Sequence, residues 1–149
     1  MALSEAQMRR VERMCRDEWE SEDELWKFFD LSTDPEELHL YANGFHWDGG
    51  IETLRRVIRH PLCDRGTALL IYWRAGPRWF AQYKDRSEAY NPDVGDQFDF
   101  LLEIEQKVRA GEFKTYRYPY DPKNDKGHDM TRRHSRVKVV REIPMEMFA

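Results

Sequence analysis

Cysteine is scarce in this chain: Cys15 and Cys63 are the two among 149 residues. They are too few and too far apart for a disulfide scaffold, form no C-x-x-C motif, and suit reduced thiols in a cytosolic protein. Long hydrophobic runs are lacking as well. The longest, Ala68 to Trp73, falls far short of the roughly 20 apolar residues that cross a bilayer. No basic start followed by an apolar stretch marks a signal peptide, so a cytoplasmic protein without a membrane partner is expected. Positive charge is not in excess, with 24 Lys and Arg against 28 Asp and Glu, which excludes a grossly basic nucleic-acid binder. There is also no G-x-x-x-x-G-K-S/T phosphate loop, no G-x-S-x-G elbow and no H-E-x-x-H zinc pair.

What the chain does have is aromatic side chains, 13% of the total, set in a polar sequence of mean hydropathy −0.87. Each ring buries on the order of 150–250 Å², so a core of large rings can form beneath a charged surface. The length suits one domain. The pattern predicts a mainly α fold, a single domain over 1–149, with a helical body at 1–112 and a loop-rich basic tail at 113–149 packed on it as an irregular or two-stranded appendage.

Apolar residues at Leu3, Met8, Val11, Met14, Cys15 and Trp19 predict an amphipathic helix with Arg9, Arg10, Arg13 and Arg16 facing water. Ser21 followed by Glu24 has the form of a capping box, ahead of an apolar face of Leu25, Trp26, Phe28, Phe29 and Leu31. Thr33 or Asp34 can cap the next helix, which Pro35 opens and which runs to about Asn43. Ile51 to Arg59 reads as a helix stopped before Pro61. Asp64 is a candidate cap for the run Gly66 to Trp73, whose continuous apolar character fits a buried helix or a central strand. Beyond Gly76-Pro77, the rings of Trp79, Phe80, Tyr83 and Tyr90 predict a connector or short helix. The last long helix opens at Pro92 and stops at Gly111. Val137 to Ile143 could pair with Tyr116 to Tyr120 as a small hairpin.

Charge is unevenly distributed. Residues 1–39 hold twelve acids and five bases, whereas 109–141 hold ten bases and four acids.

Two segments carry a resemblance. The stretch Glu37-Leu38-His39-Leu40-Tyr41-Ala42-Asn43-Gly44-Phe45-His46-Trp47-Asp48-Gly49-Gly50, followed by His60-Pro61-Leu62-Cys63-Asp64-Arg65-Gly66-Thr67-Ala68-Leu69 and on to Trp73, resembles the core signature of a bacterial family, domain of unknown function 4274. The likeness continues through Tyr120 to Gly127 and Ile143-Pro144. The family pattern reads L-H-x-x-A-x-x-x-x-W-D-D-G and H-P-x-C-D-x-G-T-A-L, and Gly49 stands where the second Asp would be. A metal or base role for that Asp would therefore be lost here. Small helical, aromatic-rich bacterial domains of this kind are similar to immunity proteins found beside secreted antibacterial toxins, an analogy of style.

His39, His46, Asp48, His60, Cys63 and Asp64 form the one cluster of ligand-type residues. Their spacing matches no known zinc finger, and each has a structural account: His39 on a helix face, His60 at a helix end, Cys63 as a buried hydrophobe, Asp48 and Asp64 as caps. A Cys63–His60 dyad would have Pro61 between its members. The basic tail, Lys114, Arg117, Lys123, Lys126, Arg132, Arg133, Arg136, Lys138 and Arg141, is interleaved with Tyr116, Tyr118 and Tyr120, which could stack on bases.

The expected function is non-enzymatic, with no cofactor: an immunity-type inhibitor that binds a cognate toxin domain through Glu18, Trp19, Glu20, Glu22, Asp23, Glu24 and Trp26. The alternatives are a nucleic-acid or regulatory module using the tail, and a metal-dependent enzyme centred on His46, Asp48, His60, Cys63 and Asp64.

Overall fold

The computed structural model describes residues 2–47, 50–89 and 91–148. It is mainly α, with seven α-helices and no named strand among the described residues. The helices are α1 Glu5–Cys15, α2 Glu22–Leu31, α3 Pro35–Asn43, α4 Glu52–Arg59, α5 Arg65–Arg74, α6 Pro77–Phe80 and α7 Pro92–Arg109. None is long and apolar enough to cross a membrane. The chain divides into two compact units, Met1–Thr67 with Phe113–Tyr118, and Ala68–Glu112 with Pro119–Ala149.

In the first unit the helix starts follow local chemistry. The Ser4 hydroxyl accepts from the Gln7 amide, and the Gln7 side chain accepts from the Ser4 amide. Asp34 and Glu37 make the same reciprocal box at α3, with Pro35 in the first turn. At α2 the Ser21 hydroxyl accepts from the Glu24 amide, but the Glu24 carboxylate reaches back one residue further, to the Glu20 amide at 2.9 Å. Ile51, not an acid, sits at the start of α4 and offers no side-chain cap; the expected cap Asp48 and the neighbouring Gly49 lie outside the described residues, as does Tyr90.

Helix α1 ends at Cys15 and not near Trp19. Asp17 adopts a left-handed φ of 55°, and the Glu18 amide donates to the Arg13 carbonyl at 2.9 Å while the Asp17 amide donates to Met14. That is a Schellman stop built on a non-glycine residue. Its packing also differs from the expected amphipathic pattern. Met8 is exposed, and Arg10, expected in water, pairs with the fully buried Glu37 of α3. The Glu37 carboxylate also accepts the amides of Thr33 and Asp34, so its charge is met from three sides. Leu25, Phe28, Phe29, Leu38, Tyr41, Leu54, Val57 and Ile58 fill the core of this unit. Leu31, expected on the apolar face of α2, is 56% exposed.

Helix α5 resolves the helix-or-strand ambiguity of Gly66 to Trp73: all eight residues are buried, and a helix satisfies its own backbone donors and acceptors. In the second unit Tyr72, Trp73, Phe80, Phe98, Phe100, Leu101, Ile104 and Met147 form the core. The C-terminal segment is irregular, with an isolated bridge between Asp125 and His128 and a 3-10 turn over Met145–Phe148. The hairpin expected of Val137 to Ile143 does not form. Its place is taken by polar anchors: the amides of Val140 and Arg141 share the Ala81 carbonyl, Arg141 pairs with the buried Glu105 at 2.6 Å, and the Trp73 indole donates to the Met147 carbonyl at 2.7 Å. Glu105 also accepts from the Tyr72 hydroxyl at 2.6 Å. In the same unit Asp125 takes a two-pronged contact from Arg74, at 2.9 and 3.0 Å, and a hydrogen bond from Tyr120; the Arg74 guanidinium holds its carboxyl below the usual carboxylate range.

Candidate functional site

The ligand-type residues of the signature lie in the first unit, and the fold itself occupies most of their polar atoms. Asp64 precedes α5 and is fully buried. Its carboxylate accepts from the Gly66 amide at 3.0 Å, the Thr115 hydroxyl at 2.6 Å, and the Arg117 and Tyr118 amides at 2.7 and 3.1 Å. Burial alone would disfavour the charged form, but these four donors outweigh it and hold the carboxyl below its ordinary value. The Arg65 amide adds a bond to the Thr115 carbonyl at 2.9 Å, and its guanidinium lies over the Tyr116 ring. Residues 64–66 thus clasp the strap 115–118.

His39 completes the clasp from α3. Its ring stacks on Tyr118 with centroids 4.5 Å apart and planes 12° apart, and its Nδ1 lies 2.9 Å from the Thr67 hydroxyl. The two halves of the signature therefore meet as structure. His60 is also engaged through both ring nitrogens: Nε2 donates to the Phe29 carbonyl at 2.9 Å and Nδ1 accepts the Leu62 amide at 3.1 Å, which places the ring proton on Nε2. Cys63 is buried and lies against the Asp64 carbonyl, while His46 is exposed. Among the described residues no three His, Cys, Asp or Glu side chains gather as metal ligands; Asp48 is outside that set.

The tail tyrosines offered for base stacking divide between the two units, and each is engaged within its own. Tyr116 lies under Arg65 and Tyr118 on His39 in the first; the Tyr120 hydroxyl donates to Asp125 in the second. Arg117 faces Asp34 at 3.9 Å, and Arg133 faces Glu142 at 3.3 Å.

The acidic strip has a different character. Asp17, Glu18, Glu20, Glu22 and Asp23 are exposed, and no salt bridge engages them among the described residues. Glu24 is the exception: it is half-buried and pairs with Arg13 at 2.6 Å. Asp23 and Glu24 border a cavity of about 410 Å³ whose apolar lining is Met14, Phe28 and Leu31. Trp19 and Trp26 are half-buried, and Trp26 already carries the Arg56 guanidinium 4.5 Å above its ring centroid. The strip was legible from sequence; the cavity beside it, formed by residues of α1 and α2 brought together, was not.

Residues 33–109 match the family model described as Domain of unknown function (DUF4274). No curated protein and no solved structure matches the chain.

Proposed function

The chain belongs to the Domain of unknown function (DUF4274) family, a premise that supplies kinship and no activity, and from its surface we propose a non-enzymatic binding protein. It acts in the cytoplasm as an immunity-type inhibitor, docking a cognate toxin domain of basic surface and occluding that domain's active site.

One observation carries the proposal: the exposed run Glu18, Glu20, Glu22 and Asp23 reaches, at Asp23, a cavity whose apolar lining is Met14, Phe28 and Leu31. Uncompensated carboxylates accelerate encounter with a cationic partner, and a concave apolar patch then fixes it by excluding water. Leu31 stands at that cavity with more than half its surface in solvent, as an anchor would. Glu24 serves differently, orienting Arg13 and the start of α2. Arg10, Arg13 and Lys27 also line the cavity; Arg10 is held by Glu37 and Arg13 by Glu24, and Lys27 offers a contact for an acidic group at the partner's rim.

The test begins with the toxin domain encoded beside this gene. The purified full chain should bind it, suppress its activity in a purified assay, and associate more slowly as salt rises. Combined Glu18→Lys, Glu20→Lys, Glu22→Lys and Asp23→Lys changes should cut the association rate at least about tenfold, while far-UV circular dichroism stays unchanged. The absence of an encoded toxin, or inhibition indifferent to all four reversals, would overturn the proposal.

A further inference from the structure

In the second unit the segment 123–138 carries six bases, Lys123, Lys126, Arg132, Arg133, Arg136 and Lys138, against a single exposed acid, Asp129. Other arginines of this unit have structural work: Arg74 holds Asp125, Arg141 holds Glu105, and Arg133 faces Glu142. Lys123, Lys126, Arg132, Arg136 and Lys138 are exposed, and no salt bridge engages them among the described residues. A basic strip that neutralised its own unit would meet carboxylates there.

The backbone that carries these bases is held in place. The Arg78 Nε donates to the Thr131 carbonyl at 2.8 Å, and the amides of Val140 and Arg141 reach the Ala81 carbonyl, so the loop between is fixed at both ends. Inside it the Val137 amide donates to the His134 carbonyl at 3.2 Å, and Val137 and Val139 are half-buried while Arg136 and Lys138 face solvent. Upstream, the paired bonds between Asp125 and His128 close a turn with Lys126 and Gly127 at its tip. A cavity of about 380 Å³ opens beside that turn, lined by Gly127, His128, Asp129 and Arg132. The Asp129 carboxylate is occupied by the Thr131 amide and hydroxyl, at 2.9 and 2.6 Å. An ordered loop costs less to dock than one that must fold on its partner.

The lining also narrows the kind of partner. No apolar side chain lines this cavity among the described residues, so the surface lacks the dry anchor of a protein interface. The exposed apolar residues that follow, Val140 and Met145, stand within two residues of Glu142 and Glu146, whose charge repels an anionic bilayer. Tyr120 is committed to Asp125 and offers no platform for stacking an unpaired base. What remains is a polar, cationic surface, the character of an interface with the backbone of a double helix.

We propose that the second unit binds the phosphate backbone of a nucleic-acid duplex, without reading its sequence, through Arg132, Arg136 and Lys138 with Lys123 and Lys126 beside them. The proposal is independent of toxin docking, which uses the first unit. Asp129 offsets one of the five charges, so about four phosphates are neutralised, and log K should fall against log salt with a slope between about −3 and −4.

Fluorescence anisotropy with the full chain and labelled duplexes of about 20 base pairs tests it at about 50 mM salt. DNA duplexes of unrelated sequence should bind saturably and within about threefold of one another. An RNA duplex runs beside them, and the tighter of the two names the nucleic acid. The corresponding single strand, and polyglutamate of equal charge, should bind at least about tenfold more weakly. Arg132→Ala, Arg136→Ala and Lys138→Ala should each weaken every duplex alike, about three- to tenfold, and make the salt slope shallower by about one. Arg9→Ala, an equal change of net charge on α1, should alter neither. All four side chains are exposed, so these variants keep the fold, as circular dichroism will verify. No saturable binding by any duplex up to about 200 µM protein, parity with the single strand or polyglutamate, or an equal loss in Arg9→Ala would overturn the proposal.

Discussion

The carbonyl oxygen of Tyr118 occupies the space where a side chain on Gly66 would begin: a Cβ placed there would lie 1.6 Å from it. The glycine is required here by backbone approach, with the strap passing directly over the first turn of α5. Gly66→Ala should therefore displace residues 115–118 and break their bonds to Asp64. The expected loss is at least about 2 kcal/mol, the class of change seen when a buried polar group loses its partners. Urea unfolding reads the stability, and hydrogen exchange at the Arg117 and Tyr118 amides reads the displacement. Native-like protection in the variant would contradict this account.

Asp64 makes the same clasp pH-sensitive. Its folded pKa lies below the ordinary value, so it contributes stability that is present above the unfolded carboxyl pKa of about 3.9. That contribution is lost as pH falls from there through the lower folded value. Asp64→Asn cannot follow this course, and one of its amide positions would meet a donor where the carboxylate accepted. The variant should be less stable at pH 7 by about 2–4 kcal/mol, and its stability should fall less steeply below about pH 4. Chemical denaturation across the pH range, compared between the two proteins, checks both parts.

Much of this architecture was legible because its determinants are local. Asp34, Pro35 and Glu37 announce α3 within four residues, and Gly111 closes α7 with a left-handed φ of 68°, as its residue type implies. Asp17 closes α1 by the same hydrogen-bond pattern, yet an aspartate rarely signals that conformation, so the helix was expected to run four residues too far. What sequence could not reveal depends on distant partners. Arg10 reads as a solvent residue until α3 brings Glu37 beside it, 27 positions away. The tail tyrosines read as an alternating strand, yet they find a guanidinium, an imidazole and a carboxylate as separate partners. In the ligand-like cluster the residue types were visible, but the backbone donors that occupy Asp64 come from 53 and 54 positions downstream.

The stop at Asp17 yields its own prediction. A residue with a Cβ in the left-handed region carries a conformational cost that glycine does not. Asp17→Gly should stabilise the chain by about 0.5–1 kcal/mol. Asp17→Asn separates charge from conformation, because it keeps the Cβ and removes one carboxylate from the acidic strip. A gain for glycine clearly above that for asparagine, in thermal or urea unfolding, supports the conformational explanation. Equal gains would attribute the effect to charge.

Cys15 is half-buried beside the carbonyls of Leu40 and Tyr41, and Gly44 packs against its sulfur. Burial, reinforced by the negative charges of Asp17 and Glu12, pushes its thiol up to about 11. Since the thiolate is the reactive form, at pH 8 only about one molecule in a thousand carries it, against roughly a quarter of an unperturbed cysteine. Alkylation of Cys15 by iodoacetamide should therefore run some hundredfold slower than that of a free thiol. The rate should keep rising through pH 10 instead of levelling near pH 9. Cys63, buried against the Asp64 carbonyl, should react only on unfolding, and Cys63→Ala isolates the Cys15 signal. Peptide mass spectrometry across a pH series measures these rates directly. Fast labelling of Cys15 at pH 7 would mean that α1 opens locally away from α3, because the folded packing leaves the thiol protonated.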